Sequence, residues 1–236
     1  MARIISIGNQ KGGTGKSTVS VLLANALSQP PHAQRVTLAD CDAQQSVIRR
    51  RLADQQQTDQ PPPYRIDFYQ LNELQRNIER LDAENDLLII DLPGRLDITR
   101  PTDQQEITKY LQYIDFLFVP ITPGNFNLQS TVDYLRAVQK LAAIRANTPR
   151  PLQVAAFLNM YEGGRTADDK LLQEEANDLR TLAKITIMDT PLQRYAAFRS
   201  CDTFTTLYGT TDRAGANFTA FTDELLAILK HGKESI

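Results

Sequence analysis

The sequence predicts an α/β fold: a doubly wound, mostly parallel sheet of about seven or eight strands with helices on both faces, in a single domain over residues 1–236. Three observations predict it. Continuously apolar runs such as Leu87-Leu88-Ile89-Ile90 read as strands buried on both faces, which a parallel sheet covered by helices requires. Segments with apolar residues at helical spacing alternate with these runs along the chain, without repeats or a long linker. A glycine-rich turn joins the first strand to the first helix, where backbone N–H groups and a helix N-terminus can face an anion.

The elements follow in order. Ile4-Ile5-Ser6-Ile7 is an apolar strand, and a strongly apolar helix runs from Lys16 through Leu27. After the polar turn Gln29-Pro30-Pro31-His32, Arg35 to Ala39 forms a strand that ends in Asp40-Cys41-Asp42-Ala43-Gln44-Gln45-Ser46. Val47, Ile48 and Leu52 mark a helix, and the glutamine- and proline-rich stretch from Gln55 to Pro63 is a surface connection. Tyr64 to Tyr69 alternates as a strand, and Leu71, Leu74, Ile78 and Leu81 recur at helical spacing. Leu87 to Asp91 is a buried strand ending in an acid. Ile114 to Ile121 is the next strand, followed by a long helix from Asn125 to about Ala146. A strand at Val154 to Leu158, a helix from Thr166 to Leu182 and a strand at Ile185 to Met188 follow, and Phe218, Phe221, Leu225, Leu226 and Leu229 make a closing amphipathic helix. Ligands of such sheets sit beyond the carboxyl ends of the strands, so the glycine-rich turn, Asp40, Asp42, Asp91, Pro120 and Asn159 are expected along one edge.

Bulk properties narrow the class. With 26 Lys+Arg against 28 Asp+Glu the net charge is -2, so any nucleic-acid surface must be a local patch. Two cysteines, Cys41 and Cys201, are too few for a disulfide framework and read as packing residues in a reducing cytoplasm. No apolar run approaches the ~18 residues a membrane span needs, and strand and turn begin within the first ten residues, so no signal peptide and no membrane partner are expected.

The turn carries the chemistry. Gly12, Gly13 and Gly15 let the backbone close on phosphate oxygens, with Thr14 between them. Lys16 is placed to reach the β- and γ-phosphates, the Ser17 hydroxyl to ligate Mg²⁺, and Thr18 to meet an α-phosphate. Asp91, ending its apolar strand, reads as the acid that holds Mg²⁺ directly or through water. Gln10 stands where the phosphate-loop pattern usually has its first glycine, and a second lysine, Lys11, lies five residues before Lys16.

That departure, Lys11-Gly12-Gly13-Thr14-Gly15-Lys16-Ser17-Thr18, resembles the deviant Walker A motif of the ParA/MinD family of P-loop ATPases. The resemblance implies a P-loop NTPase fold, with ATP and Mg²⁺ as cofactors. It implies that Lys11 crosses a dimer interface to the nucleotide of the facing subunit, stabilising charge on the transferred phosphoryl group as an arginine finger does. Asp40-Cys41-Asp42 with Gln44 resembles the family's Walker A′ segment, Ala43 replacing proline; this gives Asp42 the attacking water and Asp40 a place at Mg²⁺ or its water shell. Leu158-Asn159-Met160-Tyr161, with Arg165-Thr166, resembles the family segment that reads adenine, which makes Asn159 the candidate adenine contact; no guanine-reading N-K-x-D is present. Phe118 to Pro123 and Arg213-Ala214-Gly215-Ala216, expected before the last helix, also follow the family pattern, so the resemblance runs from Arg3 to about Leu229.

Within the family, neither cysteine suits an iron–sulfur site, the tail lacks the tyrosines of a kinase, and the last helix carries Asp223 and Glu224 where a membrane-binding helix would be basic. The sequence resembles a short ParA-type partitioning ATPase without a preceding helix-turn-helix domain. That implies a cytoplasmic, nucleoid-associated ATPase, weak without its partner. It implies a homodimer when ATP-bound, non-specific DNA binding, and stimulation by a ParB-like or other cargo-bound protein. Arg194 and Arg213 are the expected DNA contacts, with Arg199 and Lys230 behind them; solvated surface arginines are the equal alternative, since Lys184 to Lys233 holds six basic and five acidic residues. Arg49-Arg50-Arg51 reads as a solvated helix face beside the nucleotide. The alternative function is a MinD-like or conjugation-associated positioning ATPase that does not act through DNA.

Overall fold

In the computed structural model, residues 1–94, 101–123, 125–164, 166–182 and 185–231 are described; Arg165, Lys184, Lys233 and the rest of the tail lie outside them. The chain runs β1 (Arg3–Ile7), α1 (Lys16–Ser28), β2 (Val36–Asp40), α2 (Ser46–Gln55), β3 (Arg65–Phe68), α3 (Leu71–Glu84), β4 (Leu87–Asp91), α4 (Pro101–Leu111), β5 (Phe116–Ile121), α5 (Asn125–Arg145), β6 (Gln153–Tyr161), α6 (Ala167–Leu182), β7 (Thr186–Ile187), β8 (Leu192–Gln193), α7 (Ala196–Ser200) and α8 (Arg213–His231). The sheet order is β3-β2-β4-β1-β5-β6-β7, with β8 also paired to β6, and these pairings are parallel.

Pleating sends successive strand residues to opposite faces. Ile4, Leu88, Ile90, Leu117 and Val119 enter one core, where Leu74, Ile107, Leu135 and Leu172 meet them from α3, α4, α5 and α6. Ile5, Ile7, Ile89 and Phe118 enter the other, with α1, Val47 of α2, Phe198 of α7 and Phe218, Phe221, Leu225 and Leu229 of α8. The stripe of α8 is thus core. Helix α1 is buried along Val19 to Leu27, because it lies on the sheet with α2 and α7 against it and shares a core with α8, which explains why its apolar residues are not confined to one stripe.

Register sets the site. Ile7 of β1 pairs with Asp91 of β4, which pairs with Asp40 of β2, so three strands end at one level. The glycine-rich loop and both acids therefore emerge side by side.

Four features depart from the sequence reading. The polar stretch Pro101–Leu111 forms α4, which its pattern announces only through Ile107, Tyr110 and Leu111. Leu52 is 61% exposed; the inward face of α2 carries Val47 and Arg51. The Arg49-Arg50-Arg51 run is not a solvated face throughout. Arg51 is buried, with its guanidinium 4.5 Å from the Tyr64 ring centroid and 4.9 Å from that of Phe204. Arg213 also opens α8 rather than preceding it. Both cysteines are free and packed against the cores, as expected.

Candidate nucleotide-binding site

The glycine-rich loop is shaped by its neighbours. Asn9 ties its entry to β5 and α5, donating to the Pro120 carbonyl at 2.9 Å and to Thr131 Oγ1 at 3.1 Å, while its own side-chain oxygen accepts the Lys11 N–H. Gly15 is left-handed at φ 84°, and a Cβ there would stand 2.7 Å from Asn159 Nδ2, so backbone and space both demand glycine. Lys16 opens α1 and is buried; its Nζ donates to the Lys11 carbonyl at 2.9 Å. Burial lowers the Lys16 pKa, against the opposing pull of Asp91 and Asp42.

The acids lie beside it. Ser17 Oγ donates to Asp91 Oδ2 at 2.6 Å and Ser20 Oγ to Asp91 Oδ1 at 3.4 Å. Asp91 is fully buried, and desolvation raises its pKa to about 7 despite the Ser17 hydrogen bond. A hydroxyl and a carboxylate converging at the loop are the hard oxygen donors that Mg²⁺ prefers, so these residues fit the ion assigned to Ser17 and Asp91.

The two carboxylates of the Walker A′ segment have different surroundings. Asp40 is buried and accepts N–H bonds from Asp42, Val47 and Ile48, capping the start of α2; burial raises its pKa. Those donors occupy the Asp40 oxygens, and its nearness adds to the rise of the Asp91 pKa. Asp42 accepts the Gln44 and Gly94 N–H groups at 2.9 and 3.0 Å. A Cβ on Gly94 would lie 3.6 Å from both Asp42 Oδ2 and Lys16 Nζ, which places those two side chains around one glycine. A cleft of about 700 Å³, lined by Asp42, Gln44, Gly94, Glu106 and Lys109, opens beyond Asp42.

On the other side of α1 lies a narrow cavity of about 110 Å³, lined by Gly15, Thr18, Leu22, Asn159, Leu192, Tyr195, Phe198 and Arg199. Asn159 falls inside β6 rather than after it, and its Nδ2 donates to the Thr14 carbonyl at 2.8 Å. The next residue, Met160, is left-handed at φ 57° where the pairing of β6 with β8 shifts register. The far wall, from Leu192 to Arg199, escapes sequence reasoning because β8 and α7 are too short to show a period.

The chain matches the family described as CobQ/CobB/MinD/ParA nucleotide binding domain over residues 5–195. It belongs to that family. Among relatives, it is 24% identical over 197 residues to the maintenance of carboxysome distribution protein A of Halothiobacillus neapolitanus, covering 83% of this chain and 82% of that protein. A plasmid partition protein from Borrelia burgdorferi superposes with a TM-score of 0.66 at 17% identity, covering 96% of this chain and 98% of that one. Cobyrinic acid a,c-diamide synthase from Mycobacterium smegmatis, solved with an ATP analogue and magnesium, gives 0.69 at 19% identity, covering 98% and 97%.

The remaining residues read from the ParA/MinD pattern are placed as follows. Lys11 is half-buried at the loop, with its carbonyl taking the Lys16 ammonium and the Thr14 hydroxyl. Arg194, expected to meet DNA, also lines the cavity beneath Asn159 and pairs with Glu162 at 2.8 Å. Arg199 lines the same cavity and is exposed; Arg213 and Lys230 are exposed at opposite ends of α8. The structure therefore gathers the residues expected to meet nucleotide around the glycine-rich loop and splits the expected DNA contacts, with Arg194 and Arg199 on the adjoining cavity and Arg213 and Lys230 at the ends of α8. Among the described residues, no helix is long and apolar enough to cross a membrane.

Proposed function

We propose that the protein is an ATP-driven switch of the partitioning type, hydrolysing ATP to ADP and phosphate. The observation that carries this reading is the convergence of Lys16, Ser17, Asp91 and Asp42 at the carboxyl end of the sheet, on a loop that holds a second lysine, Lys11. Lys16 and the loop N–H groups hold the phosphates, with Thr18 at the α-phosphate, Ser17 and Asp91 hold magnesium, and Asp40 supports them by charge. The cavity under Asn159 takes the adenine ring. Magnesium, once bound, draws charge from the phosphate oxygens. Asp42, facing Gly94 and Lys16, orients the attacking water. Two subunits close face to face, each Lys11 reaching the other's nucleotide. Hydrolysis is slow alone, because a monomer lacks the second lysine and leaves its site wet.

In this reading the ATP-bound dimer binds duplex DNA without sequence preference, through phosphate contacts from Arg213 and Arg194. Arg194 serves only by exchanging Glu162 for a phosphate. A ParB-like or other cargo-bound protein then stimulates hydrolysis. The test is duplex-DNA binding with ATP, ADP or no nucleotide over a salt series. Binding with ATP alone, falling steeply with salt, supports the reading; binding indifferent to nucleotide, or liposome binding in its place, removes it.

A second reading is a positioning ATPase whose cargo is not DNA. The similarity to a protein named for carboxysome distribution favours it. Co-purification of a protein assembly with the Asp42→Ala variant, with no plasmid loss in cells lacking the protein, would select it.

A further inference from the structure

Helix α2 joins the two ends of the nucleotide site. At its start, Asp40 caps the Val47 and Ile48 N–H groups, and the Gln45 N–H bonds the Asp42 carbonyl at 2.8 Å, so the Asp42 loop moves with the helix. Past its midpoint, Arg51 donates to Thr203 Oγ1 at 2.9 Å, to the Thr203 carbonyl at 3.0 Å and to the Tyr64 carbonyl at 2.9 Å, between the rings of Tyr64 and Phe204. Asp54, one turn on, accepts the Thr203 N–H and hydroxyl, and Arg50 reaches the Ser200 and Cys201 carbonyls. This segment continues directly from α7, whose Phe198 and Arg199 line the base-side cavity. It is also held to α1, since Asn25 donates to the Asp202 and Thr205 carbonyls and Gln29 to that of Phe204.

A buried guanidinium is costly to desolvate, and a well-packed apolar side chain would hold two elements together without that penalty. What the guanidinium adds is direction: its hydrogen bonds and two ring contacts fix α2 against Thr203 and Phe204 on one side and against Tyr64, just before β3, on the other. We propose that Arg51 is a positioning residue for ATP hydrolysis, through which the wall of the base cavity sets the position of Asp42. The inference rests on the role given to Asp42 above. A base filling the cavity bears on Phe198 and Arg199, the 200–205 segment transmits that contact to Arg51, and α2 carries it to the Asp42 loop. Since a displacement of about 1 Å at a reacting group can change a rate by about 10²-fold, small adjustments suffice.

The test compares kcat and nucleotide affinity with saturating magnesium ATP and magnesium GTP in the parent, Arg51→Met, Arg51→Lys and Thr203→Val. The parent is expected to turn over ATP faster than GTP at saturation. In Arg51→Met the ATP kcat should fall about tenfold or more towards the GTP value, while ATP affinity stays within about threefold. Arg51→Lys should recover part of the loss, and Thr203→Val, a milder change, should reproduce it in smaller measure. Parent kcat for ATP in the variants overturns the inference, as does an equal fall with both nucleotides or a parent that turns both over alike. If Asp42→Ala retains parental turnover, the assigned role of Asp42 fails and the inference falls with it; intact Asp42 dependence with an unaffected Arg51→Met defeats the inference alone.

Discussion

Ser17 and Asp91 are 74 residues apart in sequence and 2.6 Å apart in space, the hydroxyl donating to a carboxyl that no solvent reaches. Parallel pairing of β1 with β4 brings this about, by ending both strands at the level of Ile7 and Asp91.

The first prediction concerns Asp91 in the nucleotide-free protein. Its carboxyl holds its proton up to about pH 7 when folded, whereas an unfolded aspartate releases it near pH 4. Between those values the folded state binds more protons, so this group's contribution to stability falls as pH rises. Asp91→Asn should therefore melt several degrees above the parent at pH 8, with the gap closing towards pH 4. Adding magnesium nucleotide should reverse the order, since the variant cannot hold the ion as a carboxylate does. Thermal melts at both pH values, with and without magnesium ATP, check this.

Lys11→Ala should bind ATP within about threefold of the parent, because Lys16 and the loop N–H groups remain. It should lose ATP-dependent dimerisation and at least about 10²-fold in turnover, in the range for a cation supplied in trans. Sedimentation with a non-hydrolysable analogue and steady-state hydrolysis separate the two effects. Parental hydrolysis by this variant excludes the trans role.

Asp42→Ala removes the acceptor of the Gly94 N–H and a carboxylate that shares the surroundings of Gly94 with the Lys16 ammonium. The expected product is a dimer locked by ATP, with hydrolysis reduced about 10²-fold or more. A variant that stays monomeric with ATP contradicts the role proposed for Asp42.

Asn159 commits its amide nitrogen to the Thr14 carbonyl, which leaves its oxygen to accept from an exocyclic amine such as that of adenine. Asn159→Ala should weaken ATP binding about tenfold and narrow the preference for ATP over GTP, the loss of one buried hydrogen-bond group being worth about 1–3 kcal/mol. Competition titrations with both nucleotides measure it.

Gly15→Ala should abolish nucleotide binding while leaving the rest of the fold in place, because the strain and the contact with Asn159 are local to the loop. Circular dichroism together with a nucleotide titration distinguishes this from global unfolding.

Much of the site was legible in the sequence because its chemistry is local. The loop from Lys11 to Thr18 carries its glycines, lysines and hydroxyls within eight residues, and the acids Asp40, Asp42 and Asp91 follow apolar strands that name themselves by composition. Alternation of strand and helix then determined a parallel α/β sheet with those ends on one edge, since a parallel pair needs a crossover and a ligand site opens where crossovers leave the sheet. Tertiary structure decided what depends on partners distant in the chain. Arg51 reads as one of three surface arginines until Tyr64 and Phe204 close over it, and Arg194 reads as a free cation until Glu162 meets it. Asp40 and Asp42 stand two residues apart, and only the fold shows that one is taken up by the start of α2 while the other faces Lys16 across Gly94. A side chain's neighbours across the fold, unlike its position in a motif, leave no period or spacing along the chain.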